Sequence, residues 1–291
     1  MSGEAAFIAA LQGLALHPAA RGLTDDCAVL EVGGETLILT HDMMVEGVHW
    51  LAGQDPADVA WKLVATNLSD LASKGAEPIG VLLGYSLGEN DARFAEGLGA
   101  ALAHFGVPLL GGDTVRSPGP QTLGLTALGR ATHRPVPSRS GAQAGDGVWI
   151  TGPVGAALLG FEALQAGRAD DTTAYRRPAP RLTEGQALAA LVTAMMDVSD
   201  GLLLDARRMA EASGVCLALD PALIPLPTNL PPARIRDALT WGDDYELLFT
   251  LPHETKPPCP ATRIGEVHSR GAHPLLLGET PPEGPLGYEH G

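Results

Sequence analysis

The sequence predicts a two-domain protein of mixed structure, α+β in its N-terminal half and α/β in its C-terminal half. Three observations carry that prediction. The chain has 291 residues, and at roughly 100–200 residues per domain that is room for two. β-rich and helical runs are mixed in both halves, as in layered helix-and-sheet folds. Between the halves lies HRPVPSRSGAQAGD (133–146), rich in Pro, Ser and Gly and without apolar period. It reads as a domain junction. The expected domains are 1–137 and 138–291.

The elements follow in order. The opening MSGEAAFIAALQGLALHP reads as a short helix that stops before Pro18. CAVLEV (27–32) is strand-like, and TLILT (36–40) is a β-rich run leading into Asp42. Residues 57–74 are helical, because Val59, Leu63, Val64, Leu68 and Leu71 form one apolar stripe. Gly75 suits a helix C′ position and Pro78 forbids continuation. Asn67, Asp70 and Lys74 share the polar face of that helix, as a solvated face would, with Asp70 and Lys74 placed for an i,i+4 pair. IGVLLGYSL (79–87) reads as a buried strand, 91–105 as a helix ending at Gly106, and VPLL (107–110) and TLGLTALGR (122–130) as strands. Beyond the junction come strand 148–151, a Gly152–Gly155 turn, and helices over 156–165, 182–194 and 202–212. CLALD (216–220) and ELLFTL (246–251) are strands. The Gly/Pro-rich tail from 270 carries no clear element.

Composition narrows the function. Acids outnumber bases 34 to 19, for a net charge of −15. Three of the bases are lysines: Lys62, Lys74 and Lys256. This argues against nucleic acid and anionic membranes, which call for basic surfaces. No apolar run of ~18 residues and no leader pattern appear, so a soluble cytoplasmic protein is expected. The three cysteines (Cys27, Cys216, Cys259) are scattered, and no CxxC or zinc spacing occurs.

The chemistry is carried by aspartates at the margins of predicted strands. Asp25 and Asp26 precede CAVLEV, Asp42 follows TLILT-His, and Asp113 ends VPLLGG. Asp197 and Asp200 flank Ser199 after an apolar run, and Asp243 and Asp244 precede ELLFTL. Strand ends are where α/β sheets bind ligands. Each aspartate alone has an ordinary reading as a turn residue, and Ser199 or Asp200 as the N-cap of helix 202–212. Taken together they imply bound cations, because convergent carboxylates repel unless protonated or neutralised. Magnesium, shared with the phosphates of a nucleotide, suits such oxygen donors. No P-loop and no protein-kinase motif set is present. The loop arginines Arg116, Arg139, Arg177 and Arg181 are available for phosphate.

Read in order, DDCAVL, LTHDMMVEGVHW, ATNLSDLASKGAEP, GGDTVRS, SRSGAQAGD, DVSDGLLLD and WGDDYELLFT resemble the thiamine-monophosphate kinase family of the aminoimidazole-ribonucleotide synthetase-like superfamily. The resemblance runs from about residue 21 to 268. It implies an ATP-dependent enzyme that phosphorylates thiamine monophosphate using several Mg²⁺ ions. The implied metal ligands are Asp26, Thr40, Asp42, Asp70, Asp113, Asp197 and Asp200. ATP contacts fall on Gly112, Asp113, Arg139 and Ser199, and thiamine-phosphate contacts on His49 and Asp243. Asp42, Asp113 and Arg139 stand nearest the chemistry. The resemblance also implies two α/β-type domains and a homodimer joined through a barrel of N-terminal sheets. The chain departs from the family pattern at Gly22-Leu23-Thr24, at His41 before Asp42, and in its tail, where Tyr288 is the aromatic at hand. Within the superfamily, Cys27 lacks the context of a selenophosphate synthetase cysteine, and the Glu-His-Gly ending lacks the terminal cysteine of the hydrogenase-maturation enzymes.

Overall fold

The computed structural model describes residues 3–14 and 16–289, apart from the side chain of Ala5. Met1, Ser2, Ala15, His290 and Gly291 lie outside it, and with them the margins of the expected first helix and the end of the expected tail string. Among the described residues, the first helix, α1, covers Gly3–Gln12.

The N-terminal half builds a sheet from β1 (Ala28–Val32), β2 (Glu35–Val45), β3 (Ala76–Ser86), β4 (Leu109–Val115) and β5 (Thr122–Ala131), in the order β1-β2-β5-β3-β4. All neighbours are antiparallel except β3 and β4. Gly33 and Gly34 close the β1–β2 hairpin with φ of 58° and 88°, the doubly left-handed loop that matches strand twist. β2 runs through Asp42 to Val45, so Asp42 lies within a strand and not beyond its end. β4 likewise continues past residue 110 to carry Gly112 and Asp113.

Two helices cover one face of this sheet, α2 (Pro56–Ser73) and α3 (Asp91–Phe105). Asp55 caps α2 by accepting from Ala57 N at 3.0 Å, and Pro56 occupies the first turn. In place of the expected solvated face, 15 of the 18 residues of α2 are buried. The reason is that α2 has a second partner: its polar side packs on the C-terminal half. Lys74, buried just past its end, pairs with Asp25 and Asp26 instead of Asp70.

The C-terminal half supplies β6 (Gly147–Ile150), α4 (Ala156–Gln165), α5 (Thr173–Arg176), α6 (Leu182–Leu188), β7 (Ala194–Asp197), α7 (Leu202–Ser213), β8 (Cys216–Leu219), α8 (Ile235–Thr240), β9 (Leu247–Leu251), β10 (Thr262–His268) and β11 (Leu275–Leu277). Its six strands run β11-β8-β10-β6-β9-β7. Pairing is antiparallel except between β8 and β11. The helix expected over 182–194 stops at Leu188, because β7 must pair with β9 from Ala194 onward. The tail, unassigned from sequence, provides β11 at the sheet edge.

The mixed α/β architecture thus holds in both halves, with one core centred on α2 and the first sheet and another on α7 and the second. The halves meet along α2. There α6 comes so close that a Cβ on Gly185 would lie 2.0 Å from the Ala72 carbonyl oxygen. Gly185→Ala is therefore expected to destabilise the protein by about 1–3 kcal/mol through overpacking. Denaturant unfolding reads this out, and an unchanged midpoint would refute the tight packing of α6 on α2.

Candidate active site at the domain boundary

Three chain segments bring carboxylates together where α2 meets the second sheet. Asp26 stands just before β1, Asp70 in the last turns of α2, and Asp197 at the end of β7. One oxygen from each lies within 4.8 Å of the other two. Neighbouring hydroxyls hold them in place. Thr40 on β2 donates to Asp70. Ser69 Oγ donates to Asp197 at 2.6 Å and Ser73 Oγ to Asp26 at 3.2 Å.

Protein cations balance part of this charge. Lys74 Nζ lies 2.5 Å from Asp25 and 2.6 Å from Asp26. Arg139 Nε donates to Asp26 at 2.7 Å, and Arg21 pairs with Asp25. Burial opposes ionisation of Asp25 and Asp26, but these partners outweigh it and hold both below the usual carboxylate range. The remaining acids have no such help. Burial, then Asp26 and Asp200, pushes Asp42 up to about 6. Burial, then chiefly Asp26, pushes Asp197 up to about 8. Asp70 is raised well above the ordinary range by burial and by Asp42, Asp197 and Asp26. A cluster of half-buried to buried oxygens left short of positive charge fits a hard divalent cation, which prefers carboxylate oxygens.

Ser199 and Asp200 follow Asp197 on the loop into α7. Gly201, not either of them, occupies the N-cap and makes no side-chain cap bond. Their N–H groups are instead taken by Asp205, buried in the first turn of α7, at 3.2 and 3.1 Å. Burial, then Asp200, raises Asp205 to about 7. Sequence reasoning did not single out Asp205; an acid in the first turn of a helix was its available signal. Arg208 bridges Asp200 and Asp205 at 2.5 and 3.0 Å. The tail returns here, with Tyr288 N donating to Asp200 O at 2.9 Å.

His49 and Asp243 meet on a neighbouring stretch of the boundary. Val45 N donates to His49 Nδ1 at 3.0 Å, so the proton of the neutral ring sits on Nε2. Lys62 Nζ donates to His49 O at 3.0 Å and to Asp243 Oδ2 at 2.8 Å. Asp244 accepts from Gly155 N at 2.9 Å, which makes the Gly152–Gly155 segment a strand-to-helix turn anchored by a carboxylate. Of the loop arginines, Arg177 is held by Asp58 and Arg181 by Glu246, while Arg116 lines a separate cavity of about 660 Å³ with Trp50 and Gln54.

Asp113 stands apart. Across the sheet it aligns with Gly84, Gly124 and Met43. Side chains alternate along a strand, so it shares the face of Met43, opposite the face of Asp42. Asp42 N donates to Asn67 on α2 at 3.0 Å. Three strand spacings at roughly 4.8 Å put Asp113 about 14 Å from the Asp42 strand. His41, on the Asp113 face, contacts Thr126 at 2.8 Å. A single chain therefore does not bring Asp113 and Gly112 to the carboxylate cluster.

The two halves match two domain families. "AIR synthase related protein, N-terminal domain" matches residues 24–131, and "AIR synthase related protein, C-terminal domain" matches residues 143–256. Fold and matches together make the molecule an AIR synthase-related protein. The thiamine-monophosphate kinase of Escherichia coli K12 is 38% identical over 252 residues, 79% of this chain and 76% of that protein. A solved structure described as AaThiL complexed with AMPPCP and TMP has a TM-score of 0.85 at 27% identity, covering 96% of this chain and 93% of that one. The thiamine-monophosphate kinase of Stenotrophomonas maltophilia K279a has a TM-score of 0.76 at 32% identity, covering 88% and 92%. The chain belongs to the thiamine-monophosphate kinase family.

The charge imbalance has a measurable sign. A carboxyl raised in the folded state binds its proton more tightly folded than unfolded. The metal-free protein therefore loses stability as pH rises from the ordinary carboxylate range toward about 6 for Asp42 and about 8 for Asp197. A divalent cation bound there would replace those protons. The rise in melting temperature on adding Mg²⁺ should grow between about pH 6 and about pH 8. A Mg²⁺ effect independent of pH in differential scanning calorimetry would refute this charge balance.

Proposed function

We propose that this kinase transfers the γ-phosphoryl group of ATP directly to the phosphate of thiamine monophosphate, releasing ADP and thiamine diphosphate as the last step of thiamine diphosphate synthesis. The observation that carries the proposal is the group of carboxylates short of positive charge at the domain boundary, with Arg139 anchored on Asp26 and with the Ser199 and Asp243 loops joined there backbone to backbone. The names of the relatives, and the AMPPCP and TMP in the AaThiL complex, support the choice of substrates.

Several Mg²⁺ ions, when bound, neutralise the phosphates of both substrates. Asp26, Asp42, Asp70, Asp197 and Asp200, with Thr40, are the residues to hold them. Arg139, anchored on Asp26, directs fixed positive charge toward the transferred group. Ser199, on the loop entering α7, faces the nucleotide side. His49 Nε2–H donates to an anionic oxygen of the acceptor, and Asp243 fixes the other end of that substrate. An acceptor phosphate oxygen attacks the γ-phosphorus in line, and the bond to the β–γ bridging oxygen breaks. The acceptor oxygen is already ionised at neutral pH, so no general base is required.

The domain boundary is placed between residues 137 and 138. A homodimer through the N-terminal sheets is part of the proposal. The uncovered face of that sheet exposes Met43 and Leu82, at 55% and 45% of their surface, while Leu109, Leu110 and Val115 are exposed along β4. Contiguous exposed apolar surface of this kind marks association sites. Gly112 and Asp113 border it, so their nucleotide and metal roles belong to the paired state. Among the described residues no helix is long and apolar enough to cross a membrane. With the net charge of −15, a cytoplasmic enzyme acting on small molecules, without nucleic acid or membrane partners, is the reading adopted.

Incubation with ATP, Mg²⁺ and thiamine monophosphate is expected to yield thiamine diphosphate; ATP turnover on another acceptor without that product would overturn the assignment. Asp42→Asn, Asp113→Asn and Asp197→Asn should each lower kcat by about 10²-fold or more, while Asp171→Asn, on an exposed loop, should leave it unchanged. Near-normal turnover in the Asp42 or Asp197 variant would contradict the metal-site reading. Leu82→Asp should shift the protein to monomer in sedimentation velocity, and an unaltered dimer would place the interface elsewhere.

A further inference from the structure

Lys62 is a charged side chain with 1% of its surface exposed, on the side of α2 that meets the C-terminal half. A buried ammonium is tolerated when its charge and hydrogen bonds are met nearby. Three separate segments meet those needs. Asp243 Oδ2, on the α8–β9 loop, lies 2.8 Å from Nζ. The His49 carbonyl oxygen, between β2 and α2, lies 3.0 Å away. The face of Tyr175 on α5 lies 4.0 Å from Nζ, and its hydroxyl donates to the same His49 carbonyl at 3.3 Å.

Two of these segments carry the residues assigned above to the acceptor substrate. The Asp243 side chain keeps 25% of its surface exposed, so it can be reached from solvent while its partner cannot. Its loop is held in a sparsely populated conformation, with φ of 63° at Asp243 and 52° at Tyr245. Residues so placed persist when their surroundings over-determine them. Here the surroundings are Lys62 on one oxygen and the Tyr245 hydroxyl on the other, at 2.9 Å, with Asp243 N donating to Ser199 O at 2.9 Å.

Resting on the substrate reading given above, we infer that Lys62 is a positioning residue for the acceptor substrate. It sets the separation of His49 and Asp243 across the domain boundary by holding the backbone of one and the carboxylate of the other. It touches no reacting atom, because it is buried beneath both.

The test is a double-mutant cycle on Lys62→Met and Asp243→Asn, read as KM for each substrate and kcat. Lys62→Met should raise KM for thiamine monophosphate on the order of tenfold or more, with KM for ATP and kcat within about threefold. Because Lys62 acts in part through Asp243, the rise in KM for the double variant should fall short of the product of the two single rises. A loss in kcat with unchanged KM for thiamine monophosphate would overturn the inference, as would independent, multiplying losses in the double variant. The double variant removes both members of the pair, so it is expected to fold even if Lys62→Met alone does not. In that case Asp243→Asn is compared with the double variant: KM for ATP and kcat that match, with any further rise confined to KM for thiamine monophosphate, support the role, and a further loss in kcat or a raised KM for ATP overturns it. Wild-type protein that binds ATP but leaves thiamine monophosphate unphosphorylated would strike at the substrate reading itself and remove this inference with it.

Discussion

Negative charge buried at the junction of two sheets is the constraint on which the rest of the structure depends. Asp25 and Asp26 are tolerable there because Lys74 and Arg139 are delivered from two other elements. That delivery requires α2 to end where it does and the junction segment to cross over the start of β1. The hydroxyls of Thr40, Ser69 and Ser73 fix the carboxylates further. What the protein leaves unbalanced, at Asp42, Asp70 and Asp197, is the negative charge on which the proposed function draws. In the proposed function, repulsion that would destabilise an ordinary core becomes affinity for cations and, through them, for anionic substrates.

α2 is the element that makes this arrangement possible. Its apolar stripe seals the first core, and its other side carries Asp58, Lys62, Asn67, Ser69 and Asp70 into the boundary. Each of those polar residues has a partner from another segment: Asp58 holds Arg176 and Arg177, Asn67 accepts from Asp42 N, and Ser69 reaches Asp197. A helix satisfied on both sides fixes the two halves relative to one another, and with them the position of the carboxylate cluster relative to His49 and Asp243.

Much of this was legible in the sequence. The stripe Val59, Leu63, Val64, Leu68 and Leu71 located α2 to within a residue, and Gly106 marked the stop of α3. The aspartate strings were readable because charged residues beside apolar runs demand explanation. Periodicity did not show that the polar side of α2 is also buried, since a second covering domain is a long-range fact. Nor could it show that Leu188 ends a helix, because the competing interaction is the pairing of β7 with β9, some fifty residues away. β10, with its bulge at Arg263–Gly265, and β11 are short strands whose identity comes from neighbours already in place. Asp113 was grouped with the other acids by its motif, and strand register alone determines which face it occupies.

One sheet therefore separates two chemical surfaces: Asp42 looks toward α2, while Met43 and Asp113 look the other way. The alternation has a period of two residues, so a single insertion inside β2 would exchange Asp42 with its neighbour and turn a carboxylate away from the cluster. The same insertion in the Gly33–Gly34 loop would leave the faces as they are. Divergence in length within this lineage should accordingly be confined to hairpin tips and connections, with β2 constrained in residue count as strictly as in residue type.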